Sequence, residues 1–113
     1  MYKIISIENS KYKTKRFKAD VVNYKNNEIM TFNFGDKNGN TYIDHKEKLK
    51  RYAYYLRHYN NPLEKDLIDK LTMSNAILSL FLLWGKYDNI NDNINYYNDY
   101  ISKKNKFNKN MIF

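Results

Sequence analysis

The segment Asp36–Glu47, with the sequence DKNGNTYIDHKE, has the residue types and spacing closest to those of a metal site. Calcium takes six to eight oxygen ligands, which an EF-hand loop supplies from positions 1, 3, 5, 7, 9 and 12. Those positions are occupied by Asp36, Asn38, Asn40, the Tyr42 carbonyl, Asp44 and Glu47. Position 6, which needs glycine for the sharp turn, holds Thr41, and an alternating, strand-like segment precedes the loop. We therefore expect a turn followed by a helix cap, with no metal or cofactor, and keep a calcium-binding module as a third interpretation.

The two histidines are the remaining residues that could perform acid–base chemistry. His45 and His58 lie 13 residues apart, and neither has a serine or cysteine nucleophile motif nearby. The chain also lacks a glycine-rich phosphate loop and the common catalytic signatures. We expect that the protein is not an enzyme.

Basic residues interleaved with aromatic ones form two arrays, KYKTKRFK at 11–18 and KEKLKRYAYYLRH at 46–58. The chain has a formal net charge of +8, which favours acidic partners of several kinds. Such arrays contact phosphates and stack on bases, but a solvated face or a face against acidic protein has the same composition. No groove-reading or RNA-binding signature accompanies them. Nucleic acid stays an alternative partner.

Length and composition set the scale of the fold. A chain of 113 residues without cysteine is long enough for one domain and excludes disulfides. The start has no signal-peptide pattern. The longest apolar run, Ala76–Trp84, is nine residues, whereas a membrane span needs about 20. We predict a soluble single domain over residues 1–113 with no membrane span.

Alternating apolar residues predict strands in the first third of the chain. Phe17, Ala19 and Val21 alternate with charged residues, and Met30, Phe32 and Phe34 alternate likewise. The segment KNNE at 25–28 predicts a hairpin turn, because asparagine tolerates the positive φ of a type I′ turn. We predict an antiparallel β-meander of about three strands over residues 1–34.

Helical periodicity begins after the turn and defines a helical part over residues 44–104. Asp44 is the predicted cap of a first helix. That helix should bury an apolar face at i, i+3, i+4 and i+7, made of Leu49, Tyr52, Ala53 and Leu56. Caps are also predicted at Asn61, at Thr72 or Ser74, and at Asp88. The predicted fold class is α+β, a small N-terminal meander followed by three to four helices, with a basic and apolar tail at 105–113.

The apolar segment LSLFLLWGKYDNI at 78–90 is typical of a helix in a core or at an interface. We interpret it first as core, with Trp84 as a candidate anchor on a partner because tryptophan is enriched at interface hot spots. The candidate interface residues are Tyr12, Phe17, Arg51, Tyr55, Arg57, Trp84, Phe107 and Phe113.

Several short motifs occur together in one order: Phe34-Gly35, Thr41-Tyr42 with His45-Lys46, Tyr52 through Arg57-His58, and Leu82-Leu83-Trp84 with Lys86. In this pattern the chain resembles a family of small, basic, largely uncharacterised proteins of nucleocytoplasmic large DNA viruses that infect algae and protists. The resemblance covers roughly residues 29–101. The segment between His58 and Leu78 departs from the family pattern because it is aliphatic.

The resemblance implies a structural role without catalytic residues. Large icosahedral particles hold their major capsomers together with many small proteins. We therefore expect a minor capsid protein that bridges or cements capsomers, with other capsid proteins as partners. Its location would be the inner capsid face of the virion, and the host cytoplasm during assembly. The alternative is a viral nucleic-acid-binding protein that uses the basic hairpin and the helix face.

Overall fold

A computed structural model describes residues 1–113 and contains an antiparallel sheet followed by helices. Strands β1 (Tyr2–Asn9), β2 (Lys15–Asn23) and β3 (Glu28–Asp36) form the sheet in the order β1-β2-β3. The helices are α1 (Tyr42–His45), α2 (Lys48–Tyr59), α3 (Pro62–Asp69), α4 (Asn75–Leu78) and α5 (Ile90–Asp99). A π-helical turn, Ser79–Leu83, continues α4, and 3-10 turns form at Ile101–Lys103 and Lys109–Met111. The predicted α+β class with an N-terminal meander is confirmed, with five α-helices where three to four were expected.

The alternation of the strand residues places one face of the sheet against the helices. Ala19 and Val21 of β2 and Phe34 of β3 are fully buried, and Phe17 pairs with Phe34 across the strands. The turn between β2 and β3 has one positive φ, at Asn27. A type I′ turn needs two such residues, so the predicted turn type is wrong although the hairpin forms.

The first helical turn belongs to a separate short helix, which corrects the predicted cap. Thr41 is the N-cap of α1 and Asp44 is its third residue, whose carboxylate accepts the Thr41 amide and hydroxyl protons. Lys46, with φ of 59°, ends α1 in the left-handed conformation. The long helix α2 then begins at Lys48 with Glu47 as its N-cap. The Asp44 carboxylate thus stabilises the start of one helical turn only.

The face that α2 buries is the opposite of the predicted one. Leu49 is 85% exposed, Tyr52 is 48% exposed and Leu56 is 37% exposed, whereas Arg51 and Tyr55 are buried. The helix has apolar area on both sides, and its inner side carries the larger aromatic rings. Because a buried aromatic ring removes about 150–250 Å² from water, the aromatic side packs inward and the leucines remain outside.

The later helix starts agree largely with the sequence. The Asn61 side chain accepts hydrogen bonds from two backbone amides at the start of α3, and Ser74 caps α4. The Glu64 carboxylate of the first turn of α3 contacts His58 of α2 at 2.8 Å. Asn89, rather than Asp88, caps α5.

One hydrophobic cluster of 19 buried residues includes side chains from the sheet, the helices and the tail. The apolar side chains of the segment 77–83, all of its residues except Ser79, lie in this cluster. The tail adds Phe107, Met111 and Ile112, and the Phe107 amide donates to the Asp69 carbonyl at 3.0 Å. No helix of the structure combines the length and apolar character needed to cross a bilayer.

Candidate interaction surface

The orientation of α2 is fixed by a buried arginine. Arg51 is 7% exposed, and its guanidinium donates to the carbonyls of Gly85 at 3.1 Å and Lys86 at 3.3 Å. The same group lies 4.5 Å from the Tyr42 ring centroid and 5.2 Å from that of Phe113. Burial lowers the pKa of Arg51 from its ordinary value. No carboxylate lies within ion-pair distance of Arg51. Backbone carbonyls and the faces of aromatic rings therefore compensate its charge.

The outward side of α2 is an apolar stripe, defined here as Leu49, Tyr52, Ala53 and Leu56. All four residues are exposed and recur at the spacing that aligns side chains along one side of a helix. The Phe113 ring lies 5.7 Å from the Tyr52 ring and extends the stripe toward the tail. Single exposed leucines are common on protein surfaces, but a stripe with helical periodicity is typical of a face that contacts another molecule.

Cations border the apolar stripe on both sides. At 3.6 residues per turn, Lys50 and Arg57 lie along one border and Lys48 lies along the other. No Asp or Glu occurs within α2. The N-cap residue Glu47 pairs with Lys50 at 2.8 Å, and both side chains are more than half exposed. The stripe therefore lies in a strongly positive surface.

An aromatic groove lies on the inner side of α2. The Tyr54 ring stacks on Trp84, with a distance of 4.3 Å between the ring centroids and an angle of 6° between the ring planes. The centroid of the His58 ring lies 4.1 Å from that of Tyr54. His45 is 5.3 Å from Trp84, and its Nδ1 accepts the Glu47 amide proton at 3.0 Å. The rings of Tyr54, His58 and Trp84 line an open cavity of about 440 Å³. Burial raises the pKa of Tyr54 above its usual range, as expected for a packed rather than an exposed phenol.

The turn that positions Trp84 is held by a buried amide. Asn93 of α5 is 1% exposed, and its Nδ2 donates to the carbonyls of Leu82 at 3.0 Å and Tyr87 at 2.9 Å. Its Oδ1 accepts the Tyr87 amide proton at 2.9 Å. Gly85 is required within this turn, because a Cβ there would lie 2.0 Å from the Phe81 carbonyl oxygen. One side chain thus satisfies three backbone groups between the π-helical turn and α5.

The first half of the chain matches a known family model. Residues 5–58 are similar to a family of unknown function, DUF5754. The matched region contains the sheet from residue 5 onward, α1 and most of α2 with the apolar stripe, and it ends before Trp84. No curated protein and no solved structure matches the chain. The match therefore shows a similarity over the sheet and the stripe but no activity.

The calcium-like segment is held by contacts within the chain. Both oxygens of Asp44 accept from the Arg16 guanidinium, at 2.6 and 2.7 Å, and the Asp36 carboxylate accepts the Asn38 amide proton. Glu47 is paired with Lys50. The carboxylates of the segment are thus directed to separate protein partners. These contacts favour the turn-and-cap interpretation over the calcium-binding one.

The structure divides the eight candidate interface residues into three groups by exposure. Tyr12, Arg57 and Phe113 are exposed, and Phe17 and Trp84 are partly buried. Arg51, Tyr55 and Phe107 are buried within this chain, and a role of the eight residues at an interface stays a prediction. Arg51 orients α2, while Tyr55 and Phe107 stack in the core with centroids 5.9 Å apart.

Sequence reasoning assigned Leu49, Tyr52 and Leu56 to the core and so missed the apolar stripe. Two signals were available in the sequence. The helix contains no acidic residue to balance its cations, and its other side carries four aromatic or histidine rings, those of Tyr54, Tyr55, His58 and Tyr59. Rings on one side and leucines on the other indicate that either side could be the buried one.

Proposed function

We propose that the protein is a structural component of a large DNA virus particle, a minor capsid protein that bridges or cements major capsomers. The observation that carries the proposal is the exposed apolar stripe on α2, because a stripe of this periodicity is suited to protein contact. The resemblance of the motifs to small proteins of large DNA viruses supplies the biological setting. In this proposal the protein acts at the inner capsid face and meets its partners in the host cytoplasm.

The placement of the aromatic residues supports a protein-contact role over a nucleic-acid role. A binder of single strands needs aromatic rings exposed beside its cations so that bases can stack. Tyr55 is buried, and Tyr54 and Phe17 are partly buried against other rings. These three rings are therefore engaged inside the fold.

One observation favours the second candidate, a viral nucleic-acid-binding protein. Tyr12 is 63% exposed in the β1–β2 loop, between the exposed Lys11 and Lys13. A ring flanked by cations can stack on a base while the lysines contact phosphates. Binding of this kind weakens steeply with salt, with a log–log slope of about −0.7 to −0.9 per phosphate contact.

Fractionation of particles that contain the protein tests the proposal. Opened particles are washed with increasing salt and with nuclease, and the protein is followed by quantitative mass spectrometry. We expect the protein to stay with the empty shell, because apolar contacts are weakened little by salt. Quantitative release with the genome would support the nucleic-acid candidate instead, and absence of the protein from particles would contradict the structural role.

A further inference from the structure

We propose that the apolar stripe of α2 binds an acidic amphipathic helix of a partner protein. This inference rests on the proposed protein-contact role and names the chemistry of the partner. Leu49, Tyr52, Ala53 and Leu56 have the i, i+3, i+4, i+7 spacing by which helices pack on one another. From Leu49 to Leu56 the stripe extends about 10 Å, two turns of helix, which matches the contact length of a short partner helix.

The charges around the stripe specify the sign of the partner. Lys48, Lys50 and Arg57 border it, and no carboxylate interrupts it between residues 48 and 59. Neither Lys48 nor Arg57 has an ion-pair partner within the chain. Glutamates or aspartates at the edges of the partner's apolar face would supply those partners, since complementary charges fix register and accelerate encounter.

A second copy of the same chain is a poor occupant. Two copies that met through their apolar stripes would bring Lys48 and Arg57, which have no ion-pair partner, against the same two cations of the second copy, and α2 contains no carboxylate. Like charges that face one another across an interface are destabilising. The stripe therefore favours a different, acidic protein.

Nucleic acid and anionic membranes explain the stripe less well. Three of its four residues are leucine or alanine, which neither contact phosphates as cations do nor stack on bases as exposed rings do. Membrane-surface helices insert Trp, Phe and Leu among the lipids. The only tryptophan, Trp84, is stacked on Tyr54 on the inner side of α2. The mixture of aliphatic centre and cationic border is suited to an acidic helix.

The test uses the full chain and a labelled synthetic peptide as the probe. The peptide is a helix with leucines at i, i+3, i+4 and i+7 and glutamates along both borders of that stripe. A second peptide is identical except that lysines replace the glutamates. Measured by fluorescence anisotropy at ~0.15 M salt, the glutamate peptide should bind at least about tenfold more tightly than the lysine peptide. Equal binding of the two peptides, or no binding of the glutamate peptide, would overturn the inference.

Variants assign the binding to the stripe. The double variant Leu49→Ser/Leu56→Ser should weaken binding of the glutamate peptide about tenfold or more, whereas Leu63→Ser should leave its binding unchanged. Leu63 is the matched control because it is 80% exposed but lies on α3. The charge variant Lys50→Glu/Arg57→Glu should reverse the preference toward the lysine peptide. All these positions are exposed, and circular dichroism confirms that each variant is folded.

Other occupants would be revealed by the same variants. The double serine variant should not change binding to vesicles of anionic lipid, binding to a DNA oligonucleotide, or the sedimentation of the free protein. If Leu49→Ser/Leu56→Ser abolished vesicle binding, the stripe would contact a membrane, and if it abolished oligonucleotide binding, the stripe would contact nucleic acid. A lower sedimentation coefficient of the variant would show that the stripe joins two copies. Each of these results would overturn the inference. Retention in the washed shell without peptide binding would contradict the inference alone. Peptide binding by a protein that leaves with the genome would contradict the proposed capsid role alone.

Discussion

At the scale of single residues, Asp44 connects α1 to the middle strand. Its carboxylate accepts two hydrogen bonds from Arg16 and two from Thr41, one from the amide at 2.8 Å and one from the hydroxyl at 2.9 Å. The Arg16 guanidinium, followed by the Thr41 groups, holds the pKa of Asp44 well below its usual range. The ionised form is therefore stabilised in the folded protein.

The lowered pKa of Asp44 has a defined effect on acid stability. Below about pH 4 the unfolded chain takes up a proton on Asp44 while the folded chain resists it. The free energy of unfolding therefore decreases as the pH is lowered. We expect Asp44→Asn to lower stability at neutral pH by about 1 kcal/mol, a value discounted because the side chain is 31% exposed. The variant should also lose less further stability than wild type between about pH 4 and pH 2. Urea midpoints measured across this range check the prediction.

The control for this prediction is Asp88→Asn, at an exposed position outside any helix. It should retain the acid dependence of the wild-type midpoint. If Asp44→Asn also retains that dependence in full, the Arg16–Asp44 pair does not stabilise the folded state in solution.

At the scale of elements, the turn from the π-helical segment into α5 depends on Asn93. Asn93→Asp would replace a donor with an acceptor opposite the Leu82 and Tyr87 carbonyls and would bury a charge. We expect a loss of about 3–5 kcal/mol in the free energy of unfolding, as for other unpaired buried charges. Chemical denaturation measures it, and Asn95→Asp, exposed in the same helix, should change stability by no more than about 0.5 kcal/mol. Equal stability of the two variants would contradict the assigned role.

The elements also differ in how far the sequence could predict them. The strands were predictable because apolar residues alternate with polar ones along them, which places the apolar residues on one face. Ala19 and Val21 are examples, and both are fully buried. The caps at Asn61 and Ser74 were predictable because their side chains act on the nearest amides. These features depend on contacts that are local in the chain.

The orientation of α2 was not predictable from its own periodicity. It depends on Gly85, Lys86 and Phe113, which meet Arg51 only in the folded chain. The burial of Asn93 was not predictable either, because nothing in the neighbouring sequence distinguishes it from the other asparagines, 18 in all. A helix that places an arginine inside and leucines outside is a conflict between local pattern and fold, and such conflicts are expected at functional surfaces.

At the scale of the whole molecule, the tail completes a core that the sheet and helices share. Ile112 is fully buried in the same cluster as Ile4 of β1 and Leu82 of the π-helical turn. A shared core is expected to unfold as one unit in a chain of this size. The single domain over residues 1–113 stays a prediction that unfolding experiments can test.

Ile112→Ala provides that test, because it perturbs the end of the chain far from the sheet in sequence. Removing a buried isoleucine side chain should cost about 2–5 kcal/mol. Unfolding is followed by the fluorescence of the only tryptophan, Trp84, and by far-ultraviolet circular dichroism of the whole backbone. In a single cooperative domain both signals shift to the same lower midpoint, whereas Lys109→Ala, exposed in the same segment, shifts neither. A dichroism transition that stays at the wild-type midpoint while the fluorescence transition moves would show that the sheet unfolds independently of the helices and the tail.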